Sequence, residues 1–144
     1  MDIKRLQIAD VLEIIPRRFS DDRGFFAETY SSQRFCDGGV PQEWVQDNQS
    51  LSRQQYTLRG LHYQEAPFAQ TKLVRVLKGR ILDVAVDIRR NSPTFGQWVS
   101  LELSPERFNQ ILVPQGFAHG FLTLEPETEV FYKVDAPYSA QHDR

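Results

Sequence analysis

Alternation of apolar and polar side chains is the clearest pattern in this chain, and it is most regular in residues 82–89. Leu82, Val84, Val86 and Ile88 are apolar, while three of the four residues between and after them are charged. Successive side chains of a β-strand point to opposite faces, so a period of two predicts a strand whose faces differ in polarity.

A second run rich in strand-forming residues, Lys72–Leu77, comes just before this segment. Gly79 lies between the two runs, and glycine tolerates the backbone angles of a short reversal, so we expect the two to form a hairpin. Turn-rich pieces separate seven further strand candidates, namely Val11–Ile15, Gly24–Thr29, Val45–Ser52, Gln97–Leu103, Asn109–Val113, Phe117–Leu124 and Glu129–Asp135.

Helical patterns are scarce. Only Ser31–Asp37 and Ser104–Phe108 have the composition of helices, and each is long enough for little more than one turn. The chain has no internal repeat and no low-complexity linker, and 144 residues suit one domain with one core. Many short strands in one domain predict an all-β sandwich or barrel.

Composition narrows the class of protein further. The residues are 40% hydrophobic and 25% charged, which is typical of a packed globular protein. With 17 basic and 19 acidic residues the net charge is −2, so we expect no nucleic-acid partner and no attraction to an anionic membrane. A lone cysteine, Cys36, cannot form an internal disulfide, and no signal peptide or apolar span is evident, so a cytoplasmic location is predicted.

Two clusters of polar residues interrupt the strand pattern. In the first, Leu58–Gln64, strict alternation would place Arg59 and Tyr63 on one face and His62 on the other. Gly60 lies beside His62 on that second face, and a glycine there is expected to leave room for a ligand. In the second cluster, Val113–Gly120, a proline and glycine turn delivers a histidine into the next strand.

This second cluster, Pro114–His119, resembles the second motif of the cupin superfamily, and Gly60–Gly79 takes the place of the first. The full first motif supplies two histidines and a glutamate to a metal ion. Here Gln64 stands where a second histidine would be needed, and a stable metal site requires about three or four ligands. We therefore expect no metal, and a metal-dependent cupin oxygenase is a weaker alternative.

The resemblance becomes specific when the whole chain is considered. Seven segments occur in the order found in the dTDP-4-dehydrorhamnose 3,5-epimerases, and together they span most of the sequence: Phe19–Glu28, Gln46–Ser50, Leu58–Gln64, Gln70–Val74, Asp83–Arg89, Pro114–His119 and Phe131–Lys133. Membership of this family implies a cupin-type jelly-roll barrel with one or two short helical turns. It also implies a homodimer with exchanged strands.

The resemblance implies an enzyme that exchanges two protons on a dTDP-linked 4-keto sugar, at the carbons flanking the ketone, without a metal or redox cofactor. The family's base falls on His62, whose ordinary pKa of about 6.5 suits proton abstraction near neutral pH. The family's acid falls on Tyr132. Lys72 would face the developing enolate, which needs positive charge or hydrogen-bond donors.

Substrate binding is also assigned by the resemblance. Guanidinium groups match phosphate oxygens, aromatic rings stack on a base, and polar side chains read the sugar and the base edge. Arg23 is implied to act on the partner's site. The implied diphosphate and sugar contacts are Arg23, Arg59, Gln46 and Asn48, the thymine contacts are Phe26, Tyr138 and Glu28, and the residue in the sugar pocket is His119.

One departure from the family concerns the end of the chain. Family members continue past Arg144, and that segment carries the aspartate that pairs with the catalytic histidine, so we expect a single domain, 1–144, lacking this segment and a longer natural product. A nucleotide-sugar binding module without turnover is therefore an alternative, as is a 3- or 5-only epimerase of another dTDP-deoxysugar pathway. Stacking by Tyr138 would require residues 140–144 to be held in place, because undocked chain ends are mobile.

Overall fold

Twelve strands and one short helix form the ordered backbone of the computed structural model, which describes residues 1–144. In chain order they are β1 Asp2–Arg5, β2 Leu12–Ile15, β3 Arg18–Asp21, β4 Gly24–Ala27, α1 Ser32–Asp37, β5 Gln46–Ser52, β6 Leu58–His62, β7 Lys72–Lys78, β8 Ile81–Asp87, β9 Trp98–Leu103, β10 Gln110–Val113, β11 Phe117–Thr123 and β12 Thr128–Val134.

Two antiparallel sheets enclose the core. The six-stranded sheet has the order β1-β2-β10-β7-β12-β5, and the four-stranded sheet has the order β6-β11-β8-β9. Side chains from both sheets meet in one buried cluster that includes Val74, Val76, Ile81, Phe121 and Val130. The all-β jelly-roll prediction is confirmed.

β8 is a strand with unlike faces, as its alternation predicts, but its polar face is the buried one. Asp83 and Asp87 are fully buried inside the barrel together with Ile81, while Val84 and Val86 lie half-exposed on the outside. Buried carboxylates require partners, and both aspartates have them. The inner face of β8 therefore combines core packing with polar contacts.

The prediction that residues 72–88 form a hairpin is wrong. β7 pairs with β10 and β12 in the six-stranded sheet, whereas β8 pairs with β9 and β11 in the four-stranded sheet. Gly79, with φ of +86°, makes the reversal. The chain uses this reversal to cross from one sheet to the other, since both strands find longer-range partners.

The helix prediction for residues 31–37 is confirmed. α1 begins after Ser31, whose hydroxyl accepts a hydrogen bond from the Arg34 N–H, and its Phe35 packs against the outer face of the six-stranded sheet. The prediction for residues 104–108 is wrong: this segment is a turn in which Ser104 accepts from the Arg107 N–H. At six residues, α1 is too short for a membrane crossing.

β3 and β4 form a two-stranded hairpin that is separate from both sheets. Almost every residue of this hairpin is exposed, including three phenylalanines, Phe19, Phe25 and Phe26. Large apolar side chains gain stability when they leave water, so this exposed hairpin is a candidate contact surface.

Candidate active site

A cavity of about 440 Å³ opens between the two sheets and gathers the polar residues of several strands. β6 contributes Arg59 and His62, β7 contributes Lys72, β11 contributes His119, and β12 contributes Tyr132. Five of the residues singled out in the sequence therefore line one cavity, although up to 73 positions separate them along the chain.

A register shift explains how β6 directs both Arg59 and His62 to this cavity. His119 of β11 is paired with His62, but Phe121 is paired with Arg59, so three residues of β11 face four of β6. Such a bulge interrupts the alternation of side chains. The prediction that Arg59 and His62 lie on opposite faces is therefore wrong, because both residues line this cavity.

Gly60 lies inside the bulge and serves a different purpose from the one expected. A Cβ atom at Gly60 would lie 2.7 Å from the His119 carbonyl oxygen and 2.8 Å from the Gly120 Cα. The backbone of β11, and not a ligand, occupies the space that the missing side chain leaves. Gly60 thus permits the close approach that brings His62 and His119 to the same cavity.

Arg59 is held by the edge strand of the opposite sheet. Its Nε donates to the Ser52 hydroxyl at 2.9 Å, and its Nη2 donates to the Leu51 carbonyl oxygen at 3.0 Å. No carboxylate lies within ion-pair distance of its guanidinium. A positive charge without an anionic partner at a cavity wall suits an anionic ligand.

His119 is buried and pairs with Asp83, which was not among the predicted site residues. Its Nε2 lies 2.9 Å from Asp83 Oδ1 and 2.8 Å from Asp83 Oδ2. His62, by contrast, has no carboxylate within ion-pair distance. The signal for Asp83 was present in the sequence, because a charged residue alternates with apolar ones in β8, but alternation does not identify its partner.

Lys72 lies at the start of β7 and is mostly buried. Burial lowers the pKa of its ammonium group, and the negative charges of Asp83 and Asp143 act in the opposite direction. Its Nζ lies 5.9 Å from the centre of the Tyr132 ring. The cavity therefore holds a cation beside a phenol.

Tyr132 is a cross-strand neighbour of Asn48 in the pairing of β12 with β5. Burial raises the pKa of its phenol, while a hydrogen bond with Asn48 and the charge of Arg59 act in the opposite direction. Gln46 donates from Nε2 to Asn48 Oδ1 at 2.8 Å. The two predicted polar contacts of β5 are thus hydrogen-bonded to each other on the strand beside Tyr132.

Residues 142–144 are held against the end of β6 as a short antiparallel pair. The Arg144 N–H donates to the Tyr63 carbonyl oxygen at 2.9 Å, and the Glu65 N–H donates to the His142 carbonyl oxygen at 2.9 Å. Tyr138 precedes this pair, and its hydroxyl lies 3.4 Å from Asp143 Oδ2. The end of the chain thus has the dock that stacking by Tyr138 requires.

Six predicted binding residues do not line the cavity. Three of them are Gln46, Asn48 and Tyr138, and the other three lie in a separate part of the chain. Arg23 is 90% exposed and pairs with its neighbour Asp21, Phe26 is 68% exposed, and Glu28 pairs with Arg34. All three belong to the β3–β4 hairpin or follow it directly. Within one chain, this part of the predicted site stays apart from the rest.

Metal-ligating residues are not clustered anywhere in the chain: no group of three or more His, Cys, Asp or Glu side chains could hold an ion. In the first cupin motif, Gln64 uses its amide for hydrogen bonds to the backbone.

Comparison with known proteins agrees with this arrangement over the whole barrel. The family model of dTDP-4-dehydrorhamnose 3,5-epimerase matches residues 5–144. A dTDP-4-dehydrorhamnose 3,5-epimerase of Sinorhizobium fredii is 54% identical over 144 residues, which are all of this chain and 74% of that protein.

Solved structures extend the similarity to the fold. A dTDP-4-dehydrorhamnose 3,5-epimerase of Bacillus anthracis with TDP and PPi bound is 51% identical, with a TM-score of 0.96 over 99% of this chain and 81% of that one. A dTDP-6-deoxy-D-glucose-3,5-epimerase of Legionella pneumophila in complex with dTDP-4-keto-L-rhamnose is 44% identical, with a TM-score of 0.93 over 99% of this chain and 75% of that one. On these grounds the chain belongs to the dTDP-4-dehydrorhamnose 3,5-epimerase family.

Proposed function

We propose that this chain is an isomerase that inverts both carbons flanking the ketone of dTDP-4-dehydro-6-deoxyglucose, a step of dTDP-rhamnose biosynthesis. Relatives about 50% identical over the whole chain carry this activity in their names. The solved relatives hold TDP or a dTDP-linked keto sugar, which supports the substrate class.

One observation carries the mechanism. His62 comes from the four-stranded sheet and Tyr132 from the six-stranded sheet, and both line the same cavity with Lys72 beside Tyr132. Inversion at a carbon requires a proton to leave one face and another to arrive at the opposite face. A base and an acid on different walls of one cavity meet this requirement.

The proton steps follow from these groups. Neutral His62 takes the proton from the carbon next to the ketone, and the electron pair of that C–H bond becomes an enolate. The Lys72 ammonium group stabilises the enolate oxygen through its charge. The Tyr132 phenol then gives its proton to the other face of the carbon, and solvent restores the protonation states before the second carbon reacts.

Substrate binding is divided among the remaining residues of the proposal. The Arg59 guanidinium, which has no carboxylate partner, takes the diphosphate, and Gln46 and Asn48 bind the sugar. His119, fixed by Asp83, lies against the sugar. Tyr138 stacks on the thymine.

A homodimer with exchanged strands is part of the proposal. Arg23, Phe26 and Glu28 lie on or beside the exposed β3–β4 hairpin, outside the cavity of their own chain. If the hairpin reaches a second copy, Arg23 meets that copy's diphosphate, Phe26 stacks on its thymine and Glu28 reads the base edge. Mixing Arg23→Ala and His62→Ala chains should then restore activity in dimers that contain one intact site.

Solvent isotope exchange tests the reaction. The protein is incubated with the 4-keto sugar nucleotide in heavy water, and NMR follows deuterium at each carbon next to the ketone. Exchange and inversion at both carbons are expected, and His62→Asn should lose about 10²–10⁴-fold in rate. The absence of exchange at both carbons would refute the proposed epimerase activity.

Two alternatives have distinct outcomes in the same experiment. Exchange and inversion at a single carbon would identify a 3- or 5-only epimerase. Tight dTDP binding in calorimetry without any exchange would identify a binding module. A cytoplasmic location belongs to the proposal as well, and the single free cysteine, Cys36, supports it because exposed thiols persist in reducing compartments.

A further inference from the structure

Gln64 follows β6 and is only 7% exposed, yet its amide makes three hydrogen bonds to backbone atoms. Its Nε2 donates to the Phe68 carbonyl oxygen at 2.7 Å and to the Pro137 carbonyl oxygen at 3.2 Å. Its Oε1 accepts from the Ser139 N–H at 2.9 Å. The amide therefore holds the backbone immediately before and immediately after Tyr138.

Tyr138 is also held by a hydrogen bond of its own backbone N–H. The Tyr138 N–H donates to Gln46 Oε1 at 3.2 Å, while the side chain is 59% exposed. Few packing contacts restrain so exposed a ring, so the position of its Cα depends on the hydrogen bonds around it. Gln64 supplies the two that flank the residue.

Only an amide satisfies all three bonds at this position. The two carbonyl oxygens need donors and the Ser139 N–H needs an acceptor, and the glutamine side chain offers two N–H donors and an oxygen acceptor. A carboxylate has no donor for the carbonyl oxygens, and a neutral histidine has one donor and one acceptor. This requirement accounts for Gln64 standing where the full cupin motif has a metal ligand.

We propose that Gln64 is a positioning residue that holds Tyr138 in place for stacking on the nucleobase, an inference that rests on the proposed function. Gln64 acts through the backbone of residues 137–139 and takes no part in the proton steps. Its loss is expected to weaken nucleotide binding while the chemistry at the sugar continues.

A double-mutant cycle tests this action through Tyr138. Gln64→Met keeps the volume and removes the hydrogen bonds, and it should weaken dTDP binding in calorimetry by about tenfold, the lower part of the range for a stacked base. It should raise KM while kcat changes less than about twofold. In a Tyr138→Ala background the same change should have no further effect on the dTDP Kd, because the ring is already gone.

Asn109→Leu is the matched control. Asn109 is a buried amide that donates to the Glu102 carbonyl oxygen and to Glu13, away from the cavity. This variant should lose stability without a change in the dTDP Kd. An equal loss of affinity from Gln64→Met with and without Tyr138, or a fall in kcat at unchanged KM, would overturn the proposal.

Hydrogen exchange in the ligand-free protein separates this proposal from the proposed function. Gln64→Met should speed exchange of the Tyr138 amide at least tenfold, although that amide is bonded to Gln46 and not to Gln64. Unchanged protection of Tyr138 would overturn the positioning role even if wild-type protein binds dTDP. If Gln64→Met does not fold, the same measurements are made on Gln64→Glu, which keeps the acceptor for the Ser139 N–H. A wild-type chain without dTDP binding or isotope exchange would refute the proposed function and with it the stacking role of Tyr138, even if Gln64→Met speeds exchange of the Tyr138 amide.

Discussion

The imidazole Nε2 of His119 lies 2.8 and 2.9 Å from the two carboxylate oxygens of Asp83, and both side chains are buried. The pair joins β11 to β8 within the four-stranded sheet. The negative charge of Asp83 also acts to raise the pKa of Lys72. This single carboxylate therefore orients a histidine of the cavity and supports the charge of a lysine.

Asp83→Asn is expected to shift the pH profile of the enzyme. Burial already lowers the pKa of Lys72, and Asp83 partly offsets this, so removing the carboxylate charge should lower that pKa further. In the proposed mechanism the protonated lysine stabilises the enolate, and this form is lost as the pH rises through its pKa. The alkaline limb of kcat/KM should consequently move to lower pH.

Asp47→Asn is the control for this shift, because Asp47 pairs with Lys133 and lies outside the cavity lining. Its alkaline limb should match that of the wild type. An unchanged limb in Asp83→Asn would contradict the assignment of Lys72 to the enolate.

Tyr132→Phe is expected to separate proton removal from inversion. In the proposed mechanism His62 can still take and return a proton on one face without the phenol, so deuterium exchange should continue while inverted product falls by about 10²–10⁴-fold. Because burial raises the pKa of Tyr132, the phenol stays protonated near neutral pH. NMR of isotope content and product in the same sample checks both rates.

Tyr30→Phe is a suitable comparison, since Tyr30 packs against Phe35 and Trp44 outside the cavity. It should retain both exchange and inversion. Inversion at the wild-type rate in Tyr132→Phe would mean that another group supplies the acid.

Gly60→Ala is expected to destabilise the barrel and the site together. The new Cβ would lie 2.7 Å from a backbone oxygen of β11, at a residue with φ of +110°. Backbone cannot yield as a side-chain end does, so the free energy of unfolding should fall by about 1–3 kcal/mol. Urea denaturation measures the loss.

Gly96→Ala provides the comparison for this prediction. Gly96 also has a positive φ, of +81°, but a Cβ atom at this residue would have no neighbour within 4 Å. The variant should therefore lose less stability than Gly60→Ala and keep full activity. Equal losses would show that backbone angle, and not the approach of β11, explains the glycine at position 60.

Asp87 is expected to make stability depend on pH in acid. Hydrogen bonds from Arg89, and then from Ser92 and Thr94, hold the pKa of this buried carboxyl well below its usual range, although burial itself acts in the opposite direction. A carboxyl with a lowered folded-state pKa stabilises the fold above its unfolded pKa of about 3.9, and the contribution disappears as the pH falls toward the folded value.

Asp87→Asn should therefore lower the free energy of unfolding by about 1.5–3 kcal/mol at pH 7, the range for a hydrogen bond to a charged group. The difference from wild type should shrink below about pH 4, as the unfolded carboxyl takes up a proton. Denaturant titrations at pH 7 and pH 3 measure it, and a difference that stays constant would contradict the linkage.

Local patterns in the sequence predicted most of the strands and the helix α1, although they missed β1 and β3 and predicted a helix over residues 104–108 that is a turn. The alternation in β8 predicted a strand, Ser31 predicted the start of α1, and the order of seven motifs predicted the jelly roll. These signals succeed because the period of a strand and the cap of a helix depend on residues that are close in sequence.

Pairing was decided only in three dimensions. The sequence could not show that β7 and β8 belong to different sheets, that a bulge turns Arg59 and His62 toward one cavity, or that Asp83 meets His119, 36 positions away. Each of these outcomes depends on which distant strand lies alongside, and that choice is made by packing of the whole barrel. Composition and periodicity, which are local, carry no record of it.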